Sequence, residues 1–472
     1  MMSRRPGVGR DRPTVTFTFE GRTITARQGQ SIAAALLANG VDILTRSFKY
    51  RRPRGYTCGF DACPNCPVTV DGLPGVAACT TEVRGGERVH RERGWPSADL
   101  DLLRVTDVLS RFFGAGFQFR HFAKHPRLSH LWERVMAAVA GAGRLPTPGA
   151  ARAAQARRVV TASPDVLVVG GGLSGCAAAL GAAERGARVL LANRGPLGGR
   201  SRVRRHPVDT GADGTLPACE AAQLLARRVA AAEHITVVDG TVVGAFEEGV
   251  FPIAEGAVLR EVRPRAVVVA TGSYELPPLF PNNDRPGVVL ADAVRRLIHV
   301  DQVVPWRSAV VVTDRAAGHE LAAELGEAGV AVRAVADLRA RPDFPGTGRV
   351  PVLAGARVAR VIGRRRVRAI EIEHAGRRRR LPCDLVGVAL GERPADELVL
   401  QLRYLDAGTT TAVTDDWRPG DGFSGRVTET AWVVGSAAGR GGDLSHAYAI
   451  GGRAAEHAAR QDPEPPVSGD DS

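Results

Sequence analysis

The sequence predicts an α/β fold built on parallel sheets, preceded by a small β-rich domain. Three observations predict it. From Asp165 onward, short Val-rich runs alternate with Ala-rich helical stretches, the texture of βαβ units. A glycine run, Gly170-Gly171-Gly172-Leu173-Ser174-Gly175, stands between one such Val-rich run and one such Ala-rich stretch. Ahead of both, four cysteines crowd together behind a hairpin pattern and a short helix.

The first element is the hairpin. Val15 to Phe19 alternates apolar and polar residues, Glu20-Gly21 turns, and Thr23 to Ala26 returns. Ser31 is placed to N-cap a helix over Ile32 to Asn39, which Gly40 stops. The cysteines follow as Cys58-x4-Cys63-x2-Cys66-x12-Cys79. Plant-type 2Fe-2S ferredoxins space their ligands C-x4-C-x2-C with a distant fourth cysteine. Three thiolates on one loop wrap one side of such a cluster, and Gly59 lets the backbone come close to it. Zinc and structural or free thiols are the competing readings. Zinc sites favour two paired knuckles, whereas here three ligands sit together and one apart. Val68 to Val70, an Asp71-Gly72 turn and a short return complete the domain near Trp95. The hairpin, helix and loop order is that of a β-grasp ferredoxin-like domain.

Asp165 to Val169 is the strand that leads into the glycine run, which matches G-x-G-x-x-G. Cys176 to Arg185 reads as the helix, Gly186 closes it, and Arg188 to Ala192 is the second strand. In this Rossmann-like context Gly170 makes the tight turn, Gly172 admits a pyrophosphate, and Gly175 lets helix and strand pack closely. Gly171 and Ser174 complete the loop, and the phosphates rest on the helix N-terminus. The position that usually carries an acidic ribose ligand holds Asn193, followed by Arg194, which is either a phosphate partner or a surface arginine. Three further segments favour FAD over NAD: Leu197-Gly198-Gly199-Arg200, the strand-turn Val267 to Thr271-Gly272, and Val433 to Gly439, where Gly435 is followed by Ser436 in place of an acid. The fold class is therefore a two-dinucleotide-binding-domain flavoprotein with parallel Rossmann-like sheets and an N-terminal β-grasp 2Fe-2S domain.

A second βαβ unit runs from Ser308 to Asp337. Its turn, Asp314-Arg315-Ala316-Ala317-Gly318, lacks the glycine fingerprint, while Asp337 stands where a ribose ligand would. A working NAD(P) site and a degenerate one stay equally open. The organisation expected is a disordered tail over 1–12, the ferredoxin-like domain over 13–95 and a helical segment with linker over 96–160. An FAD-binding domain then runs in two parts, 161–292 and 384–460, around an inserted NAD-like domain over 293–383, and 461–472 forms a second disordered tail.

Length and charge bound the function. At 472 residues the chain exceeds one ordinary domain, and 44% apolar residues suit a globular protein. The formal charge of +13 is nearly all arginine, Lys49 and Lys124 being the only lysines. The arginine runs 364–366 and 377–380 lie among strand-like segments without interleaved aromatics, so a solvated face is expected and a nucleic-acid groove is not. Neither a secretory signal nor a membrane span is expected, and the clustered cysteines suit a cytoplasmic metal site better than a disulfide framework.

At these motifs the chain resembles the N-terminal half of the heterotetrameric sarcosine oxidase alpha subunit. It also resembles hydrogen cyanide synthase and opine or proline dehydrogenase subunits. The resemblance is carried by Ser31 to Val41, Arg46 to Tyr50, Arg52 to Gly55, Gly94 to Ser97, Gly116 to Phe119 and Asn283 to Gly287. It implies a subunit carrying FAD and a 2Fe-2S cluster, which relays electrons for a beta-type, D-amino-acid-oxidase-like flavoprotein subunit that oxidises an amine or amino acid. Sarcosine oxidase alpha subunits continue into a folate-binding domain, so folate-coupled formaldehyde capture is not expected here. The alternative is a self-contained NAD(P)H-dependent reductase that passes electrons through the cluster to an acceptor. Neither the acceptor nor a catalytic acid or base can be named, and His319 and His446 read as structural or surface residues.

Overall fold

The structure is a computed structural model that describes residues 12–48, 50–95, 97–108, 126–140, 145–155, 158–343, 350–407, 425–439 and 441–461. Both expected disordered tails, and the Gly116 to Phe119 stretch, fall almost wholly or wholly outside the described residues. The chain divides into two compact units, one of residues 1–152 with 275–391, the other of 153–274 with 392–472.

The first unit opens with the expected hairpin, Thr14–Phe19 against Arg22–Arg27. These strands extend into a five-stranded mixed sheet with Arg88–Arg91, Pro67–Val70 and Leu73–Ala77. The helix Ile32–Ala38 is capped by Ser31, whose hydroxyl accepts from Ala34 N at 3.2 Å. Its residues Ile32 to Leu37 are all buried. The same unit holds a second, all-parallel sheet ordered Val288–Leu290, Leu385–Ala389, Ser308–Thr313, Ala331–Asp337, Val352–Ala354. The two sheets share one core, in which Phe17, Leu36 and Val68 join Val289, Val294 and Leu297. Polar contacts reinforce that junction: Ser31 N donates to Asp301 Oδ1 at 2.8 Å, and Gln30 Nε2 to Asp301 O at 2.8 Å.

The second unit carries the five-stranded parallel sheet ordered Ile235–Asp239, Val189–Asn193, Val166–Val169, Ala266–Val269, Ala431–Val433. Every residue of Val166–Val169 is buried, as a central parallel strand with both faces covered requires. The helix Leu173–Ala183 lies against the C-terminal helix Leu444–Ala459. A Cβ on Gly451 would sit 1.9 Å from Ala178 O, so only a residue without a side chain permits this approach.

Two expectations are corrected. The inserted portion is wider than 293–383, because Val288–Leu290 and Leu385–Ala389 pair with each other in its sheet. Buried Val-rich strands carry no mark of which parallel sheet they join, so the sequence cut fell inside one. The linker expected at the end of the 96–160 segment, Pro146 to Arg158, contains a helix, Pro148–Gln155, and Arg158–Ala162 is a strand parallel to Val258–Val262 of the second unit. Proline at a helix start loses no hydrogen bond, and the alanines behind it favour helix.

Candidate functional site

The cysteine loop is built by the first unit. Cys58, Cys66 and Cys79 are 4%, 3% and 1% exposed, and Cys63 is half-buried. Cys58 lies within hydrogen-bonding reach of Cys63 and Cys79, and Cys79 of Cys66, and none of the four is in a disulfide. Hydrogen bonds from Cys63 and Cys79 push the Cys58 thiol down to about 2, and its contact with Cys58 pushes each of those two thiols up. Backbone N–H groups point at the sulfurs: Ala62 N lies 3.3 Å from Cys58 Sγ and Asp61 N 3.4 Å from Cys79 Sγ. Gly59 makes the turn with φ +70°. Four soft donors, three of them buried, with N–H groups aimed at two of the sulfurs, fit a 2Fe-2S cluster. Among the described residues no three His, Cys, Asp or Glu side chains converge on a single-ion site.

The loop is seated on the parallel sheet of its own unit. Leu290 N donates to Thr57 O at 2.9 Å, and buried Tyr56 Oη donates to Ala293 O at 3.2 Å. Arg296 stacks its guanidinium 5.5 Å from the Phe60 ring centroid, in the middle of the ligand loop. The helix Ala291–Arg296 supporting the loop is itself pinned by Arg295, whose Nε donates to Glu324 Oε1 at 3.0 Å. None of these supports was legible in the sequence, because they are separated from the cysteines by more than two hundred residues and follow no motif.

In the second unit the glycine loop connects Val166–Val169 to the helix Leu173–Ala183. A Cβ on Gly175 would lie 1.8 Å from Gly170 O, and one on Gly170 2.4 Å from Ala270 O. By contrast, a Cβ on Gly172, the helix N-cap, would meet nothing within 4 Å. The loop is thus packed tightly behind and open in front, a cradle for a phosphate at a positive helix end. Gly199 and Gly435 close on this cradle, Gly199 against Gly172 and Gly435 against the Ser174 hydroxyl. These residues fit the pyrophosphate of a dinucleotide.

The remaining site residues have defined places. Asn193 braces the loop: its Oδ1 accepts from Gly171 N at 2.8 Å and its Nδ2 donates to Gly195 O at 2.7 Å. The residue expected to reach a ribose is engaged with the backbone of the loop itself. Arg194 is exposed. Thr271 Oγ1 donates to Ala395 O at 2.6 Å, and Gly272 O accepts from Ala395 N. Arg200 Nη1 donates to Ser273 O at 2.6 Å. Ser436 lies half-buried in the single turn Gly435–Ala438. Sequence reasoning missed Glu392, whose carboxylate binds Arg204 and the Ser273 hydroxyl. Burial raises its pKa, but Arg204, Ser273 and Arg200 outweigh burial and hold it below the usual range. His446 is half-buried at the N-terminus of the last helix, and among the described residues none hydrogen-bonds its Nε2.

The second βαβ unit has a cleft of about 770 Å³ outside its strand ends, lined by Leu276 to Pro281, Val312, Leu338 and Leu390 among others. Its would-be ribose ligand is saturated. Asp337 Oδ2 accepts from His319 Nε2 at 2.8 Å and from Arg339 Nη2 at 2.9 Å, and Oδ1 accepts from Arg339 N and Nε. Burial pushes this carboxyl up, but Arg339 and His319 hold it below the usual range.

A thiolate-lined cluster loop and a dinucleotide cradle in one α/β chain define an FAD-dependent oxidoreductase with a fused 2Fe-2S domain. Comparison with known proteins agrees. Residues 12–94 match the 2Fe-2S iron-sulfur cluster binding domain and residues 165–242 the FAD dependent oxidoreductase family. The chain is similar to sarcosine oxidase alpha subunits over part of their length. It is 33% identical to that of Rhizobium meliloti (strain 1021) over 83% of this chain and 41% of the relative, and 28% identical to that of Corynebacterium sp. (strain U-96) over 69% and 30%. It therefore spans well under half the length of these relatives. The hydrogen cyanide synthase subunit HcnA of Pseudomonas aeruginosa is 35% identical over 17% of this chain and 77% of its own length. Among solved structures, L-proline dehydrogenase from P. horikoshii shares the fold, with TM-score 0.64, 22% identity and coverage of 96% of this chain and 75% of that one. No helix among the described residues is long and apolar enough to cross a membrane.

Proposed function

We propose that this chain is the electron-transferring subunit of a hetero-oligomeric oxidase or dehydrogenase for an amine or amino acid, working in the cytoplasm. Its partner is a D-amino-acid-oxidase-like flavoprotein subunit that oxidises the substrate C–N bond. The observation that carries the reading is the pairing, in a chain similar to sarcosine oxidase alpha subunits, of four clustered cysteines, three of them buried, with a dinucleotide cradle. A flavin exchanges electrons in ones or twos, and an iron-sulfur cluster exchanges them singly. The chain's own residues hold each group: Cys58, Cys63, Cys66 and Cys79 the irons, and Gly170 to Gly175 with Gly199 and Gly435 the dinucleotide. Arg194, Arg200, Thr271, Gly272 and Ser436 are assigned to the same FAD site, with Asn193 shaping its loop. The alternative, a self-contained NAD(P)H reductase, is disfavoured by the saturation of Asp337.

Anaerobic co-purification with a D-amino-acid-oxidase-like subunit, followed by addition of sarcosine or proline, tests this reading. The expected outcome is an amine-dependent paramagnetic signal of the reduced cluster. Bleaching of the isolated chain's flavin by NADH, with no response of the complex to any amine, would overturn it.

A further inference from the structure

Arg296 ends the helix Ala291–Arg296, and a single π-helical turn, Leu297–Asp301, follows it. Residues five apart on an α-helix face different ways, whereas a π-turn, bonded from i to i+5, brings them together. Here it sets Asp301 Oδ2 3.6 Å from Arg296 Nε. Asp301 is 2% exposed, and among the described residues it is the one carboxylate within ion-pair distance of Arg296. Both the Nε and the Oδ2 are buried, and neither has a hydrogen-bond partner among the described residues. π-turns are rare and recur at functional sites.

The rest of Asp301 is fixed to the cysteine-bearing domain. Its Oδ1 accepts from Ser31 N at 2.8 Å, and its carbonyl accepts from Gln30 Nε2 at 2.8 Å. Arg296 in turn places its Cζ 5.5 Å from the centre of the Phe60 ring. Phe60 lies between two residues in the left-handed region, Gly59 at φ +70° and Asp61 at φ +55°. Asp61 is not a glycine, so its conformation persists only where the surroundings impose it. This same stretch aims N–H groups at the sulfurs: Asp61 N lies 3.4 Å from Cys79 Sγ and Ala62 N 3.3 Å from Cys58 Sγ. Hydrogen bonds to the sulfurs and nearby charge set the potential of an iron-sulfur cluster. Every residue in this chain of contacts belongs to the first unit.

We propose that Asp301 is a positioning residue for the 2Fe-2S cluster: it holds Arg296 over Phe60 and so sets the potential at which the cluster accepts an electron. Asp301 acts through Arg296 rather than by its own charge, and the two routes give opposite shifts. A carboxylate felt directly by the cluster disfavours an added electron, so its removal raises the potential. A carboxylate that anchors a guanidinium beside the ligand loop favours the added electron, so its removal lowers the potential. The inference needs the cluster and no particular substrate.

Asp301→Asn tests it with little change of shape. The asparagine Oδ1 can still accept from Ser31 N, while its Nδ2 presents a donor where Arg296 needs an acceptor. The full-length, FAD-replete, cluster-containing protein is titrated anaerobically with dithionite, and paramagnetic resonance follows the cluster. Dithionite supplies the electrons, so failure of the proposed amine reaction would leave this outcome untouched. The midpoint potential is expected to fall in Asp301→Asn, in the same direction as in Arg296→Gln, and to fall no further when the two substitutions are combined. A midpoint that rises or stays unchanged in Asp301→Asn would overturn the proposal, as would a further fall in the double variant. Should the unpaired guanidinium cost Asp301→Asn its cluster, iron content decides. The double variant leaves no unpaired charge at this place and should regain the cluster; a double variant as empty as Asp301→Asn, beside a loaded Arg296→Gln, would refute the role of Arg296.

Discussion

Replacing Gly59 by alanine puts a methyl group where the cluster loop meets the helix Ala291–Arg296. Two costs can be read from the structure. Gly59 has φ +70°, and an L-residue held in that left-handed region loses about 1–2 kcal/mol. Its Cβ would also lie 2.6 Å from Tyr56 Oη and 3.0 Å from both Cα and Cβ of Ala293. The tyrosine can tilt only by weakening its bond to Ala293 O, and the helix backbone cannot yield without displacing Arg295 from Glu324. Overpacking of this kind adds about 1–3 kcal/mol. Together the terms come to roughly 2–5 kcal/mol, borne locally by the segment that positions Cys58 and Cys63. Gly59→Ala is therefore expected to lower iron and acid-labile sulfide content, together with the reduced-state paramagnetic signal, while FAD content stays at the parent value. Iron analysis and flavin release on the same anaerobic preparation measure both. Adding Ala293→Gly should restore part of the cluster, since it removes one of the two contacts. A Gly59→Ala protein with full cluster occupancy and an unchanged signal would show that neither the left-handed turn nor the helix contact constrains the loop.

Gly175→Ala should do the reverse, abolishing FAD retention while leaving the cluster intact, because its Cβ would lie 1.8 Å from a backbone oxygen that no rotamer can move; flavin and iron content again separate the outcomes. Glu324→Gln should destabilise the protein by about 3–5 kcal/mol at neutral pH, the cost of breaking a buried pair, and chemical denaturation reports it. Burial raises the Glu324 pKa, but His299 and Arg295 outweigh burial and depress it. Its stabilising contribution is therefore complete above the unfolded value of about 4.3 and is lost as pH falls through the lower folded value, so Glu324→Gln should flatten the acid limb of stability against pH. Arg296→Gln should shift the cluster midpoint potential downward, because it removes a positive charge stacked on Phe60 in the ligand loop; redox titration followed by paramagnetic resonance detects the shift, and an unchanged potential would exclude that influence. NADH added anaerobically to the isolated chain should leave the flavin oxidised, with Asp337 occupied by His319 and Arg339; rapid bleaching would contradict this.

Much of this molecule was readable in one dimension. The cysteine spacing, the hairpin ahead of it, the Ser31 cap and the strand-glycine-helix succession at 166–183 are local signals. Each depends on residues a few positions apart, where backbone geometry and ligand reach follow directly from residue type. The cofactor classes were legible for the same reason. Domain limits were not: Val288–Leu290 and Leu385–Ala389 are short buried strands whose neighbours are chosen by long-range packing, and nothing in Val-Val-Leu says which sheet it enters. The role of Asn193 also lay beyond the sequence, since its carboxamide could serve a ligand or the loop, and only the 2.8 Å contact with Gly171 N decided between them.

Residue chemistry alone determined that this chain could hold two irons and a dinucleotide, because thiolate softness and the missing side chain of glycine act at the position where they occur. Tertiary structure decided what stands around those groups: Tyr56 and Ala293 behind the cluster loop, and His319 and Arg339 on Asp337. Such neighbours come from distant parts of the chain, and the free energies that pair them belong to the packed core rather than to any local stretch.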